Sequence, residues 1–121
     1  MKAEFVTELR VARTPGTDFW RLLEPFVVKV DGEKIVVPPN FQTDFASVPR
    51  LPLAFLLFGG KADCSATVHD YLYSVADRPR QVCDEIFLVL MEAEGLSEPV
   101  RKAMYDAVRI GGHDHYGKKG L

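Results

Sequence analysis

FWRLLEPFVVKVDGEKIVVPP, residues 19–39, decides how the first half of the chain folds. Residues 19–30 are rich in aromatic and β-branched side chains, which suit a pleated strand. Asp31 and Gly32 form a strong hairpin signal, and KIVVPP (34–39) resumes the strand. Pro38 and Pro39 end the pairing, because neither has an N–H to donate to a ladder. Upstream, Glu4–Val11 predicts a further short strand. Downstream, NFQTDFASVPR (40–50) reads as a structured loop of turn-forming and small polar residues.

The second half reads as helix. LPLAFLLFGG (51–60) is apolar throughout and closed by two glycines; it predicts either a short core helix or a lip facing lipid or a partner. Asp63 predicts the cap of a helix running through Val75. Asp77 predicts the next cap, with Pro79 in the first turn and Gly95 after the end. Val82, Ile86, Val89 and Leu90 recur there at helical spacing. Ser97 and Pro99 open a third helix, whose Val100, Met104, Ala107 and Val108 form one apolar stripe before Gly111–Gly112 stop it. The tail HDHYGKKGL is polar and expected to be loose. The expectation is an α+β fold: a small antiparallel β-sheet in the N-terminal half packed on three C-terminal α-helices near 63–75, 78–94 and 98–111. One domain over residues 1–121 would hold the sheet (about 4–40), a motif loop (40–60), the helices (about 63–111) and a polar tail (112–121).

At 47% hydrophobic and 26% charged residues, the chain can bury a core without disulfide or metal staples. Its 15 basic and 17 acidic residues leave a net charge of −2 with no basic stripe, which argues against a nucleic-acid partner. Arg50, Arg78, Arg80, Arg101, Lys102 and Arg109 are scattered, the usual pattern of a solvated surface. Cys64 and Cys83 are too few for a disulfide framework, lack CxxC spacing and are expected to be reduced thiols. MKAEFVTELR contains no apolar run of the kind a signal peptide needs, and no stretch reaches the ~20 apolar residues of a transmembrane helix.

SATVHDYLYSV (65–75) carries the candidate chemistry. His69 and Tyr73 stand four apart on one helical face, and Asp70 points about 100° away. Only Ala76–Arg78 join this helix to the next, so the second must return antiparallel and bring Asp84 toward His69. A histidine oriented by a carboxylate can take a proton from water. Asp70 has the oxygen donors that a hard cation such as calcium takes, with loop carbonyls completing the shell. The same residues also read as a satisfied buried polar cluster, with Asp84 paired to Arg80 four residues earlier. His113 and His115, flanking Asp114, form either a metal chelate or a solvated tail.

The order VPPNFQTDFASVPR, ATVHDYLY, RPRQVCDEIFLVLMEAEG, RKAMYDAVRIGG resembles the DUF1353 family of unknown function over roughly residues 20–112. That resemblance implies a tailed-phage or prophage origin, a place in the host cytoplasm or the virion, and other phage or host-envelope components as partners. TDFASVP, HDYLY and CDEIF are also similar, in order, to the loop, HDxxY helix and supporting Asp of phospholipases A2, especially the compact bacterial type. By that likeness His69 is the water-activating base, Asp84 and Tyr73 its catalytic support, and Asp70 a calcium ligand. Asp44 and Ser47 then lie on the substrate side, with Phe55 of the apolar stretch at its entrance. The glycine-rich calcium loop of that family is not recognisable, unless the Asp44–Ser47 loop replaces it, and its disulfides are absent. The expected function is a small hydrolase of a lipid or cell-envelope ester or amide. The alternative is a non-catalytic phage structural or assembly protein, or a host-directed binding protein, in which the His–Asp–Tyr–Asp cluster is a brace.

Overall fold

The computed structural model describes residues 1–43 and 62–117. Their elements run β1 (Ala3–Phe5), β2 (Val11–Arg13), β3 (Trp20–Leu22), β4 (Phe26–Val30), β5 (Glu33–Val37), β6 (Gln42–Thr43), α1 (Asp63–Val75), α2 (Arg80–Ala93) and α3 (Glu98–Gly111), followed by a 3-10 turn at Gly112–Asp114. The fold is α+β, as expected. The strands, however, divide into two antiparallel three-stranded sheets, ordered β1-β4-β5 and β2-β3-β6.

The 31–32 turn sets the register of the first sheet. Asp31 and Gly32 take φ of +50° and +81°, the left-handed pair that matches strand twist, so Val30 pairs with Glu33 and Phe26 with Val37. One face follows: Phe26, Val28, Val30, Ile35 and Val37 are all buried, while Glu33, Lys34 and Val36 are exposed. Residues 19–30, read as one strand, are two, with β3 in the second sheet and β4 in the first; Leu23–Pro25 lie between them. Pro38–Pro39 end β5 as expected. Asn40 at φ +69° then turns the chain, and backbone bonds from Asn40 to Leu22 and from Leu22 to Phe41 lead into β6 beside β3.

Helix α2 lies between two apolar clusters. Its Cys83, Ile86 and Leu90 join the face of the first sheet together with Val68, Leu72 and Tyr73 of α1. Its Phe87 and Met91 join Ala62 and Ala66 and the α3 stripe of Val100, Met104 and Val108. Each fully buried side chain of this kind contributes roughly 1.5–3 kcal/mol. Asp84 stands three and seven residues before Phe87 and Met91, on the same flank of α2, and is fully buried.

Two expected caps are corrected. Helix α1 has Ala62 at its N-cap position, and Asp63 lies exposed in the first turn without a capping bond. The acceptor comes instead from Glu94 at the end of α2, whose carboxylate takes Cys64 N–H at 3.1 Å, Ser65 N–H at 3.0 Å and Ser65 Oγ–H at 2.6 Å. Helix α2 starts at Arg80 after Pro79, while Arg78 engages the Asp77 carboxylate at 3.1 Å. The α2 stop is as expected: Gly95 at φ +94° lets Leu96 N–H reach Met91 O and Gly95 N–H reach Glu92 O, and buried Leu96 packs in the same cluster as Met91.

The tail, expected to be loose, is docked as far as residue 117. Tyr116 stacks edge-on against Tyr73 at 5.4 Å and donates its hydroxyl hydrogen to Arg78 O, while Gly117 N–H reaches Tyr73 O at 2.8 Å. Burial of one aromatic ring outweighs the polarity of its neighbours.

Because Glu94 supplies the α1 cap from 30 residues away, Glu94→Ala should destabilise the protein by about 1–2 kcal/mol. The measurement is the urea midpoint at unchanged slope. A midpoint equal to wild type would mean that solvent caps α1 equally well.

Candidate functional site

The short α1–α2 connection turns on Ala76, whose φ of +52° closes α1 in the left-handed conformation with Ala76 N–H on Leu72 O. The helices return antiparallel, and His69 Nε2 lies 2.7 Å from Asp84 Oδ1. Tyr73, one turn on from His69, donates its hydroxyl hydrogen to the same oxygen at 2.6 Å. The other carboxylate oxygen receives Arg109 Nη1 from α3 at 2.7 Å and Arg80 Nη1 at 3.5 Å. His69 and Asp84 are both fully buried. The imidazole is held between two rings, Tyr73 at 4.1 Å and Phe87 at 4.6 Å.

Arg80 and Arg109, expected on the solvated surface, are partly buried and turned inward. Arg80 also donates to Val108 O at 2.9 Å and Arg109 O at 3.3 Å, satisfying carbonyls in the last turn of α3. The 80/84 spacing was legible in the sequence; no local signal ties Arg109, on another helix, to Asp84. Gly112 was another missed residue. A Cβ there would lie 2.7 Å from Tyr73 Oη and 3.3 Å from both Tyr73 Cε2 and Arg80 Nη1, so only glycine lets the chain pass over the tyrosine. Its mark in the sequence is the Gly111–Gly112 pair, which also reads as a helix stop.

Burial pushes the Asp84 carboxyl up, but the hydrogen bonds from His69, Tyr73 and Arg109 outweigh it and hold the group below the ordinary carboxylate range. Burial also pushes the His69 pKa below its ordinary 6.5, against the opposing pull of Asp84. The pair is therefore an anionic carboxylate beside a neutral imidazole. A carboxylate in that state only accepts, and would leave the ring proton on Nε2 and the lone pair on Nδ1. Among the described residues, His69 Nδ1 is the buried side-chain nitrogen or oxygen left without a hydrogen-bond partner. Such atoms are rare in folded proteins and each has a cause.

Asp70 lies beside this group on the half-buried flank of α1, where its Oδ2 accepts the Thr43 hydroxyl at 2.8 Å. Calcium takes six to eight oxygens. Here the described residues bring Asp70 and Thr43 together, and among them no group of three or more His, Cys, Asp or Glu side chains could hold a metal. Asp44, Ser47 and Phe55, expected on the substrate side, lie outside the described residues, as does the apolar 51–60 stretch. His113 and His115 are exposed, with His113 Nε2 3.2 Å from Asp114 Oδ1. Cys64 and Cys83 are free thiols whose pKa values burial pushes up to about 12 and about 11, which disfavours the thiolate form. Among the described residues no helix is long and apolar enough to cross a membrane.

Comparison with known proteins adds a family and no function. A family described as a protein of unknown function (DUF1353) matches residues 20–108. No curated protein and no solved structure matches the chain.

The contact between Gly112 and Tyr73 makes a coupled prediction. Gly112→Ala should cost about 1–3 kcal/mol by overpacking, and less when Tyr73→Phe has removed the hydroxyl. Equal costs in both backgrounds would refute the contact. The buried imidazole makes a second. Below about pH 6.5 the unfolded chain protonates His69 while the folded chain resists, so the unfolded state binds more protons and stability falls. Asp84, also lowered, acts in the same direction at more acidic pH. Urea midpoints measured from about pH 7.5 down to about pH 5 should decline in wild type and flatten in His69→Gln.

Proposed function

Because the chain belongs to the DUF1353 family, whose members are described only as proteins of unknown function, we propose from the site itself that it is a small hydrolase using His69 as a general base on a lipid or cell-envelope ester or amide. The observation that supports this reading is the unpartnered lone pair of His69 Nδ1, on a ring whose other nitrogen is held by Asp84. A base needs a nitrogen free to take a proton and a neighbour that steadies the resulting cation. In the proposed reaction Nδ1 takes a proton from water as its oxygen attacks the carbonyl. Asp84 stabilises the imidazolium, and Tyr73 holds Asp84. The proton then passes to the leaving oxygen or nitrogen. This chemistry runs on His69 and Asp84; calcium at Asp70 is a separate part of the proposal, as is the phage or prophage setting implied by the resemblance.

The complete burial of His69 and Asp84 favours a second reading. In it the cluster is a cross-brace among three helices, and the protein is a structural, assembly or host-directed binding component. Substrate has no route to a sealed ring without movement of its surroundings, so the two readings separate on activity.

The test is hydrolysis of phospholipid vesicles and short-chain esters, with and without calcium, by wild type, His69→Gln and Asp70→Asn. General-base catalysis contributes on the order of 10²–10⁴-fold, and the hydrolase reading expects a loss of that size in His69→Gln while the fold persists. Wild-type protein inert on every substrate under both conditions would overturn it in favour of the brace. Calcium is read independently by thermal melts: a metal held by Asp70 raises the wild-type Tm by mass action, and Asp70→Asn abolishes the rise.

A further inference from the structure

The tautomer of His69 depends on a residue outside the His–Asp–Tyr motif. Two arrangements satisfy the 2.7 Å contact between Nε2 and Asp84 Oδ1. In one, Asp84 is ionised, Nε2–H donates to it and Nδ1 is a lone pair. In the other, Asp84 is protonated and donates to Nε2, and Nδ1 carries the ring hydrogen. The arrangements differ in the charge on a carboxylate with no exposure to solvent, so neighbouring cations decide between them. Arg80 is largely committed elsewhere: its 2.9 Å bond goes to Val108 O, and its approach to Asp84 is 3.5 Å. Arg109 is the close partner, at 2.7 Å from Oδ2, the oxygen that neither His69 nor Tyr73 uses. It reaches in from the last turn of α3, with about a third of its side chain exposed, so its charge stays hydrated at one end while it neutralises Asp84 at the other.

We infer that Arg109 is a positioning residue: its charge keeps Asp84 ionised and so imposes the Nε2–H tautomer on His69, leaving Nδ1 as the acceptor. The tautomer assignment does not depend on the hydrolase reading. Its consequence for hydrolysis rests on the general-base reading, because only the lone-pair form of Nδ1 can take a proton from water.

The experiment is ¹⁵N NMR of histidine-labelled full chain at neutral pH, which distinguishes protonated from bare ring nitrogens. Wild type should show a bare Nδ1 and a protonated Nε2 on His69. Asp84→Asn, whose amide N–H can donate to Nε2, gives the reference spectrum of the opposite tautomer. Arg109→Met should shift His69 toward that reference, and Arg109→Lys should restore the wild-type pattern. If Arg109→Met does not fold, Arg109→Gln, which keeps a donor without the charge, is read in the same way. A protonated Nδ1 in wild type, or a wild-type tautomer in the folded uncharged variant, overturns the inference. Where wild type hydrolyses a substrate, the same uncharged variant should lose kcat about tenfold or more with KM little changed. A tautomer that responds to Arg109 in a protein without hydrolytic activity would retain this inference and remove the hydrolase reading.

Discussion

One buried anion organises the helical half of this protein. Asp84 has no exposure, yet its pKa is held low because donors from all three described α-helices converge on it: His69 and Tyr73 from α1, Arg80 from its own helix and Arg109 from α3. Burying an unpaired carboxylate would cost several kcal/mol; here both oxygens are occupied and two guanidiniums stand against one of them. The apolar clusters on either side of α2 bring the helices together. Apolar packing alone tolerates small slides and rotations. A carboxylate that needs partners from three helices does not, so Asp84 restricts how they can be arranged.

The rest of the architecture serves that arrangement from outside. The first sheet covers one side of α1 and α2 with an alternating apolar face whose register comes from the Asp31–Gly32 turn. The second sheet ends at Thr43, which is buried and bonds Asp70, so it supports α1 next to the imidazole. The chain after α3 passes over Tyr73 at Gly112 and covers its ring with Tyr116. Tyr73 is thereby fixed by its hydroxyl on Asp84 and, from the tail, by Tyr116 at its ring and Gly117 at its backbone carbonyl.

Against this satisfied background the bare Nδ1 of His69 stands out physically. A buried polar nitrogen without a partner forfeits roughly 1–3 kcal/mol of hydration. Its ring is otherwise well placed, packed at a tilt against two aromatics and hydrogen-bonded at Nε2. A purely structural brace would be better served by a residue with one polar end. The local imbalance is the ground for the proposed chemistry, and complete burial is the ground for the alternative of a brace.

What the sequence by itself determined is local or depends on spacing. The hairpin followed from two residues able to take positive φ, the α2 stop from Gly95, and the α3 start from Ser97 and Pro99. The proximity of His69, Tyr73 and Asp84 followed from a four-residue helical repeat and a connection too short to do anything but reverse direction. Tertiary structure decided the features that join distant segments. The strands of residues 19–30 went to different sheets, Glu94 replaced Asp63 as the α1 cap, Tyr116 docked the tail, and Arg109 became the counter-ion of Asp84. Each depends on which remote group arrives within about 3 Å of an unsatisfied donor, charge or ring, a distance at which hydrogen bonds form. Spacing along the chain encodes a helix face or a turn, because the backbone repeats regularly. It does not encode which exposed-looking arginine will meet a buried carboxylate, because that is settled only when the helices pack.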